Sequence, residues 1–204
     1  MCIITKKNSI FAVKTKQNEM ITRYHAKYYA QLLSQKSVGN NLQNLSQSLL
    51  NSAVDINPHQ IDAALFAFKS PLSKGVVLAD EVGLGKTIEA GLVLCQMWST
   101  GKRKIIIVCP ASLRKQWSFE LAEKFGVASE ILDAKVFNAY VAEGKNPFSY
   151  NRVIICSYNF AAKKKAEVLR HGFDLAIVDE AHKLRNVYRK SARTAADVRD
   201  ALAG

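Results

Sequence analysis

The sequence predicts an α/β fold: an open, mostly parallel sheet flanked by helices, preceded by a helical extension. Three observations predict it. From residue 75 onward, short apolar runs alternate with longer segments of helical periodicity, as in strand–helix–strand units. Two of those runs, Ile105-Ile106-Ile107-Val108 and Val153-Ile154-Ile155, are continuously apolar, as expected of strands covered on both faces. Between the first run and the following helix, a glycine-bearing loop ends in Gly85-Lys86-Thr87. That order of strand, tight loop and helix start forms a phosphate cradle.

The elements follow in order. Residues 1–18 are polar apart from a short apolar patch at 10–13, and partial disorder is expected there. Residues 20–37 place Ile21, Tyr24, Tyr28 and Leu32 at helical spacing, and 41–54 repeat the pattern with Leu42, Leu45 and Leu49. Ser37-Val38-Gly39-Asn40 breaks the two runs. Residues 1–56 are therefore expected to form a helical N-terminal extension, and 57–204 the nucleotide-binding unit. Asn57-Pro58 opens a helix, with Asn as cap and Pro in the first turn, where its missing N–H costs nothing. Pro71 ends that helix. Strands are expected at 75–79, 104–109, 129–132, 152–156 and 174–178, and helices at 86–99, 111–125, 135–143, 158–170 and 191–203. Right-handed crossovers would join them, with ligands bound at the carboxyl ends of the strands.

Composition narrows the function classes. The 204 residues are 49% hydrophobic, enough for one well-filled core. No apolar run approaches the roughly 18 residues that span a bilayer, and the first 20 residues lack the apolar stretch of a signal peptide. The expectation is a soluble, cytoplasmic chain with no membrane partner. Cys2, Cys95, Cys109 and Cys156 are scattered without a C-x-x-C pair, and the four histidines form no metal motif, so neither a disulfide framework nor a structural zinc is expected. The net charge of +12 favours a polyanionic partner such as nucleic acid. Taken singly, the basic clusters at 102–104, 163–165 and 183–193 read as solvated surface.

In the loop, Gly83 and Gly85 permit close backbone approach to a ligand. The N–H groups of the loop and helix start can point at phosphate oxygens, and the helix dipole favours their charge. Lys86 would reach the β- and γ-phosphates, and the Thr87 hydroxyl would hold Mg²⁺. Asp80 stands where the strict G-x-x-x-x-G-K-[ST] pattern has its first glycine. A dinucleotide fingerprint is excluded, because a third glycine would have to stand at Ile88.

About 90 residues later, Ile177-Val178 leads into Asp179-Glu180-Ala181-His182. An acidic pair at a strand end is what a Mg·ATP site requires opposite the loop. Asp179 would hold the metal, directly or through water. Glu180 would orient or deprotonate the attacking water.

Four segments in order, LADEVGLGKTIEAGLVL, IIIVCPASLRKQW, IICSYNF and LAIVDEAHKLRN, resemble the first, RecA-like motor lobe of the Swi/Snf-type ATPases of helicase superfamily two. The D-E-V-G-L-G-K-T loop is especially similar to that of the bacterial RNA-polymerase-associated Swi/Snf-type proteins. The resemblance spans about 57–186. It implies that Asp80, Glu81, Gly83, Leu84, Gly85, Lys86 and Thr87 cradle ATP and Mg²⁺, and that Gln60 reads the adenine edge. It implies that Asp179 and Glu180 are the metal-binding and water-activating pair. His182 would couple nucleotide state to a second lobe. Ser112, Arg114 and Lys115 would touch a nucleic-acid backbone, as would Ser157 and Tyr158, whereas Trp117 reads as core packing. Family members generally move along double-stranded DNA and remodel bound proteins.

Such a motor needs a second lobe, in cis or in trans, whose arginines are worth about 10³ to 10⁵ in rate. No segment of this chain matches the motifs of that lobe, or the strand-end motif that follows the DEAH-like one. The chain alone is therefore expected to bind nucleotide weakly and to hydrolyse it slowly. The alternatives are a non-motor nucleotide-binding module and an inactive single-lobe fragment.

Overall fold

The computed structural model describes residues 2–6, 57–69, 75–78, 86–149, 151–184 and 193–203. The helical runs expected at 20–37 and 41–54, and the loop residues Asp80, Glu81, Gly83, Leu84 and Gly85, lie outside the described residues.

Six strands form one sheet: β1 (Cys2–Lys6), β2 (Gly75–Leu78), β3 (Ile105–Cys109), β4 (Ser129–Leu132), β5 (Val153–Ser157) and β6 (Leu175–Val178). Their order across the sheet is β2-β1-β6-β3-β5-β4. β6, β3, β5 and β4 are paired in parallel. β1 runs antiparallel to both β2 and β6, so β2 shares the direction of the other four. The expected open, mostly parallel sheet is thus observed.

β1 corrects one expectation. Residues 2–6 are not part of a loosely ordered extension but an interior strand of the sheet. Ile3 lies opposite Val77 on one side and Val178 on the other. Five residues, Cys-Ile-Ile-Thr-Lys, carry too short an apolar pattern to announce a strand. Ladders on both edges, rather than local propensity, hold it in place.

The sheet is buried on both faces because alternate residues of its strands point to opposite sides. Ile105, Ile107 and Cys109 of β3 join one apolar cluster with Ala64 and Ala67 of α1 (Pro58–Lys69), Leu92 and Val93 of α2 (Lys86–Ser99), and Leu121 and Phe125 of α3 (Arg114–Phe125). Ile106 and Val108 join the other, with Phe137 of α4 (Ala134–Ala142), Phe160 of α5 (Tyr158–Lys163), Val168 of α6 (Lys165–His171) and Val198 of α7 (Arg193–Ala201). All five β3 side chains are fully buried, each large aliphatic one contributing about 1.5–3 kcal/mol. α2 and α3 approach closely over Gly91, where a Cβ would lie 2.3 Å from the Phe125 ring.

Element ends carry local causes. Asp133 Oδ1 accepts from the N–H groups of Lys135 and Val136, both at 2.9 Å, an N-cap that starts α4 one residue before the expected 135. The Gly126 N–H donates to Ala122 O in a left-handed turn (φ 62°) that closes α3. The helix expected over 158–170 is two helices, α5 and α6, divided at Lys164. At that break Lys164 and Lys165 part. Lys164 lies over the Phe137 ring and bonds Glu167, while Lys165 bonds Asp197 and Asp200. At the amino end of β3, Arg103 stacks on Trp98 with 4.3 Å to the ring centroid, and Lys104 Nζ donates to His171 O. Members of these two basic clusters, read from the sequence as solvated surface, are tied to partners on other elements.

Candidate active site

The site is built at the carboxyl ends of the parallel strands. β6 ends at Val178, and the Asp179 N–H continues the ladder by donating to Val108 O at 2.9 Å. Three further bonds fix this residue. The Trp117 indole Nε1–H donates to Asp179 Oδ2 at 2.8 Å, the Glu180 N–H donates to Asp179 Oδ1 at 2.8 Å, and the Tyr158 hydroxyl donates to Asp179 O. Each carboxylate oxygen keeps acceptor capacity beyond its one bond.

Glu180 is the one non-glycine described residue with a positive φ, at 54°. That left-handed conformation costs of order 1–3 kcal/mol. It persists because Asp179 is anchored on one side and the 3₁₀ turn Ala181–Leu184 on the other, where the Lys183 N–H donates to Glu180 O at 3.0 Å. The turn leaves the Glu180 side chain half-exposed and brings His182 Nδ1 to 2.9 Å from Glu180 Oε2. The acidic pair is therefore divided, with the Asp179 carboxylate held by Trp117 and the Glu180 backbone and the Glu180 carboxylate half-exposed beside His182.

Lys86 and Thr87 open α2, where the helix dipole favours an anion. β2, which leads to that helix, is one strand removed from β6. Two interstrand steps put the strand ends about 10 Å apart. The charges of both ends are felt at Cys2, buried in the intervening strand. Burial pushes its thiol up to about 12, with Asp179 the next cause and Glu89 adding, while Lys86 opposes. β2 and β6 thus end on the same edge of the sheet, and α2 follows β2 in the chain. Glu89, fully buried in the first turn of α2, is a further carboxyl group there which sequence reasoning passed over. A carboxylate on the core-facing side of an amphipathic helix was the signal available.

The nucleic-acid candidates divide. Ser112 and Lys115 are exposed at the start of α3, just past the end of β3. Arg114 Nε donates to Ala111 O at 3.1 Å. Its charge opposes part of the rise that burial and Asp179 impose on the Cys109 thiol. Ser157 Oγ accepts from the Phe160 N–H at 3.2 Å and caps α5. Tyr158 is placed otherwise than expected: its ring is buried at 9% exposure and its hydroxyl is bonded to Asp179. Burial, with Asp179 next, raises its phenol above the ordinary range. It braces β6 from inside. Trp117 does pack in the core at 3% exposure, as expected, but its N–H has a partner that sequence reasoning missed.

Gln60 lies in the first turn of α1. It is buried, and its Oε1 accepts the Asn57 N–H at 3.1 Å. That bond is half of a capping box, with the glutamine at the third helical position reaching back to the residue before the helix.

Comparison with known proteins decides the family. The model of the SNF2-related domain matches residues 11–201. The chain belongs to the SNF2-related domain family. Among solved structures, the Sulfolobus solfataricus SWI2/SNF2 ATPase core in complex with dsDNA superposes with a TM-score of 0.57 at 21% identity. The likeness covers 70% of this chain and 30% of that one, so this chain spans under a third of that ATPase core. The SNF2-related match begins well before residue 57 and so takes in most of the segment read as an extension. The chain is accordingly an SNF2-related domain. No helix among the described residues is long and apolar enough to cross a membrane.

The donor set at this edge suits a nucleotide-borne cation. Among the described residues, no cluster of three or more His, Cys, Asp or Glu side chains could hold a metal alone. Mg²⁺ commonly takes one or two protein oxygens together with phosphate and water, and the Thr87 hydroxyl and Asp179 carboxylate are oxygens of that kind.

Proposed function

We propose that this SNF2-type domain is the ATP-binding lobe of a DNA-dependent ATPase that couples hydrolysis to movement on double-stranded DNA or to remodelling of protein–DNA complexes. The observation that carries the reading is the division of the acidic pair. Asp179 is fixed by bonds from three other residues and Glu180 is turned outward in a strained conformation, on the edge where Lys86 opens α2. Strain of this kind concentrates at functional sites.

In this reading Lys86 neutralises the β- and γ-phosphates, with Gly83, Leu84 and Gly85 offering backbone N–H groups and Asp80 and Glu81 beginning the loop. Thr87 and Asp179 would hold Mg²⁺, which would supply neutralisation of the charge that develops on the phosphates. Glu180 orients and deprotonates water, and His182, against Glu180, carries the nucleotide state toward a second lobe. Gln60 reads the adenine edge, its amide plane steadied by Asn57. Ser112, Arg114 and Lys115, with Ser157, meet the nucleic-acid backbone, where phosphate contacts supply affinity without sequence reading. The DNA in the Sulfolobus complex supports a duplex partner. In this reading the protein works in the cytoplasm, with a second lobe acting in cis or in trans.

The test is ATP turnover by a polypeptide that includes a second lobe, with and without duplex DNA. Turnover is expected to rise on adding duplex. Equal turnover with and without it contradicts the DNA-dependent reading.

A further inference from the structure

Trp117 sits in the first turns of α3 and is 3% exposed. An indole N–H that deep requires an acceptor within the protein. A backbone carbonyl would satisfy it. Instead it donates to Asp179 Oδ2 at 2.8 Å, a carboxylate 62 residues away in sequence. The other oxygen, Oδ1, takes the Glu180 N–H at 2.8 Å. The last torsion of an aspartate is otherwise soft. One donor on each oxygen fixes the carboxylate plane, and the two donors come from different elements. The Glu180 N–H belongs to the strained turn itself, whereas Trp117 belongs to the helix layer packed behind the sheet.

We infer that Trp117 is a positioning residue of the metal site. Its N–H sets the orientation in which the Asp179 carboxylate presents its remaining lone pairs to Mg²⁺ or a Mg²⁺-bound water. This rests on the metal-holding role proposed for Asp179. Donors of this kind behind a metal ligand are commonly worth 10- to 100-fold in metal affinity. The same bond joins the metal site to the helix that begins beside Ser112, Arg114 and Lys115.

The test is Trp117→Phe in the full chain, which keeps a buried ring and removes the N–H. Two affinities are measured by calorimetry: that for ATP without divalent cation, and that of the ATP-bound chain for Mg²⁺. The first is expected to stay unchanged and the second to weaken about tenfold or more. A purely structural tryptophan would move the melting temperature and both affinities together, or neither affinity. A folded, ATP-binding variant with wild-type Mg²⁺ affinity overturns the inference and leaves the nucleotide reading standing. Failure of the wild-type chain to bind ATP overturns both.

Should the variant not fold, the wild-type indole signal decides. The chain has two tryptophans, Trp98 and Trp117, and Trp98→Phe assigns their ¹⁵N indole resonances. The Trp117 resonance is expected to shift when Mg²⁺ is added to the ATP-bound chain, while that of Trp98 stays. A Trp117 resonance indifferent to Mg²⁺ overturns the inference.

Discussion

Lys86→Ala is expected to weaken Mg·ATP binding by about 10- to 100-fold. The ammonium group at the opening of α2 would donate charged hydrogen bonds to phosphate oxygens, and such bonds are worth about 1.5–3 kcal/mol each. Every 1.4 kcal/mol or so is tenfold in affinity. The helix dipole and the loop N–H groups remain in the variant, so some binding should survive. Calorimetry checks this directly, and unchanged affinity would remove Lys86 from the phosphate site. The change should cost little stability, because Lys86 lies at the helix end rather than in either apolar cluster.

Glu180→Gln is expected to act on the opposite quantity. Glutamine fits the same left-handed backbone no worse than glutamate, and its side-chain oxygen can still face His182 Nδ1, now 2.9 Å from Glu180 Oε2. What it lacks is a base. In a polypeptide with both lobes, turnover should fall by about 10² to 10⁴, the usual worth of a positioned general base, with Mg·ATP affinity unchanged. Equal loss of binding and turnover would make Glu180 a structural acid, its carboxylate serving the turn rather than the water.

These two residues also show how far the sequence could be read. The start of α2 at Lys86 and its end at Ser99 follow from the loop pattern and the apolar periodicity. The continuously apolar β3 reads as a two-sided core strand, which it is. Asp179 at the end of β6 was legible because a buried apolar strand that stops at a carboxylate must bring that charge out at the sheet's edge. The strain at Glu180 was not, since a left-handed residue other than glycine leaves no mark in composition.

Tertiary partners account for the remaining gaps. β1 was missed because its stabilising bonds come from strands at least 70 residues away in sequence. The division at Lys164 was missed because no glycine or proline marks it. It lets Lys165 reach Asp197 and Asp200, which lie on α7. Trp117 and Tyr158 were assigned from their neighbours in sequence, whereas both hydrogen bonds point to Asp179. A side chain's apolar body can be placed by periodicity, but the partner of its polar tip is set by the fold.

The central claim is that one nucleotide-bound cation lies between Thr87 and Asp179. Replacing Mg²⁺ by Fe²⁺ in the ATP complex and adding ascorbate and peroxide generates radicals at the metal, which cut the backbone close by. Two cuts are expected, one beside Thr87 and one beside Asp179, both suppressed by excess Mg·ATP. Cutting beside only one of them, or at neither, while ATP is bound would contradict the shared site.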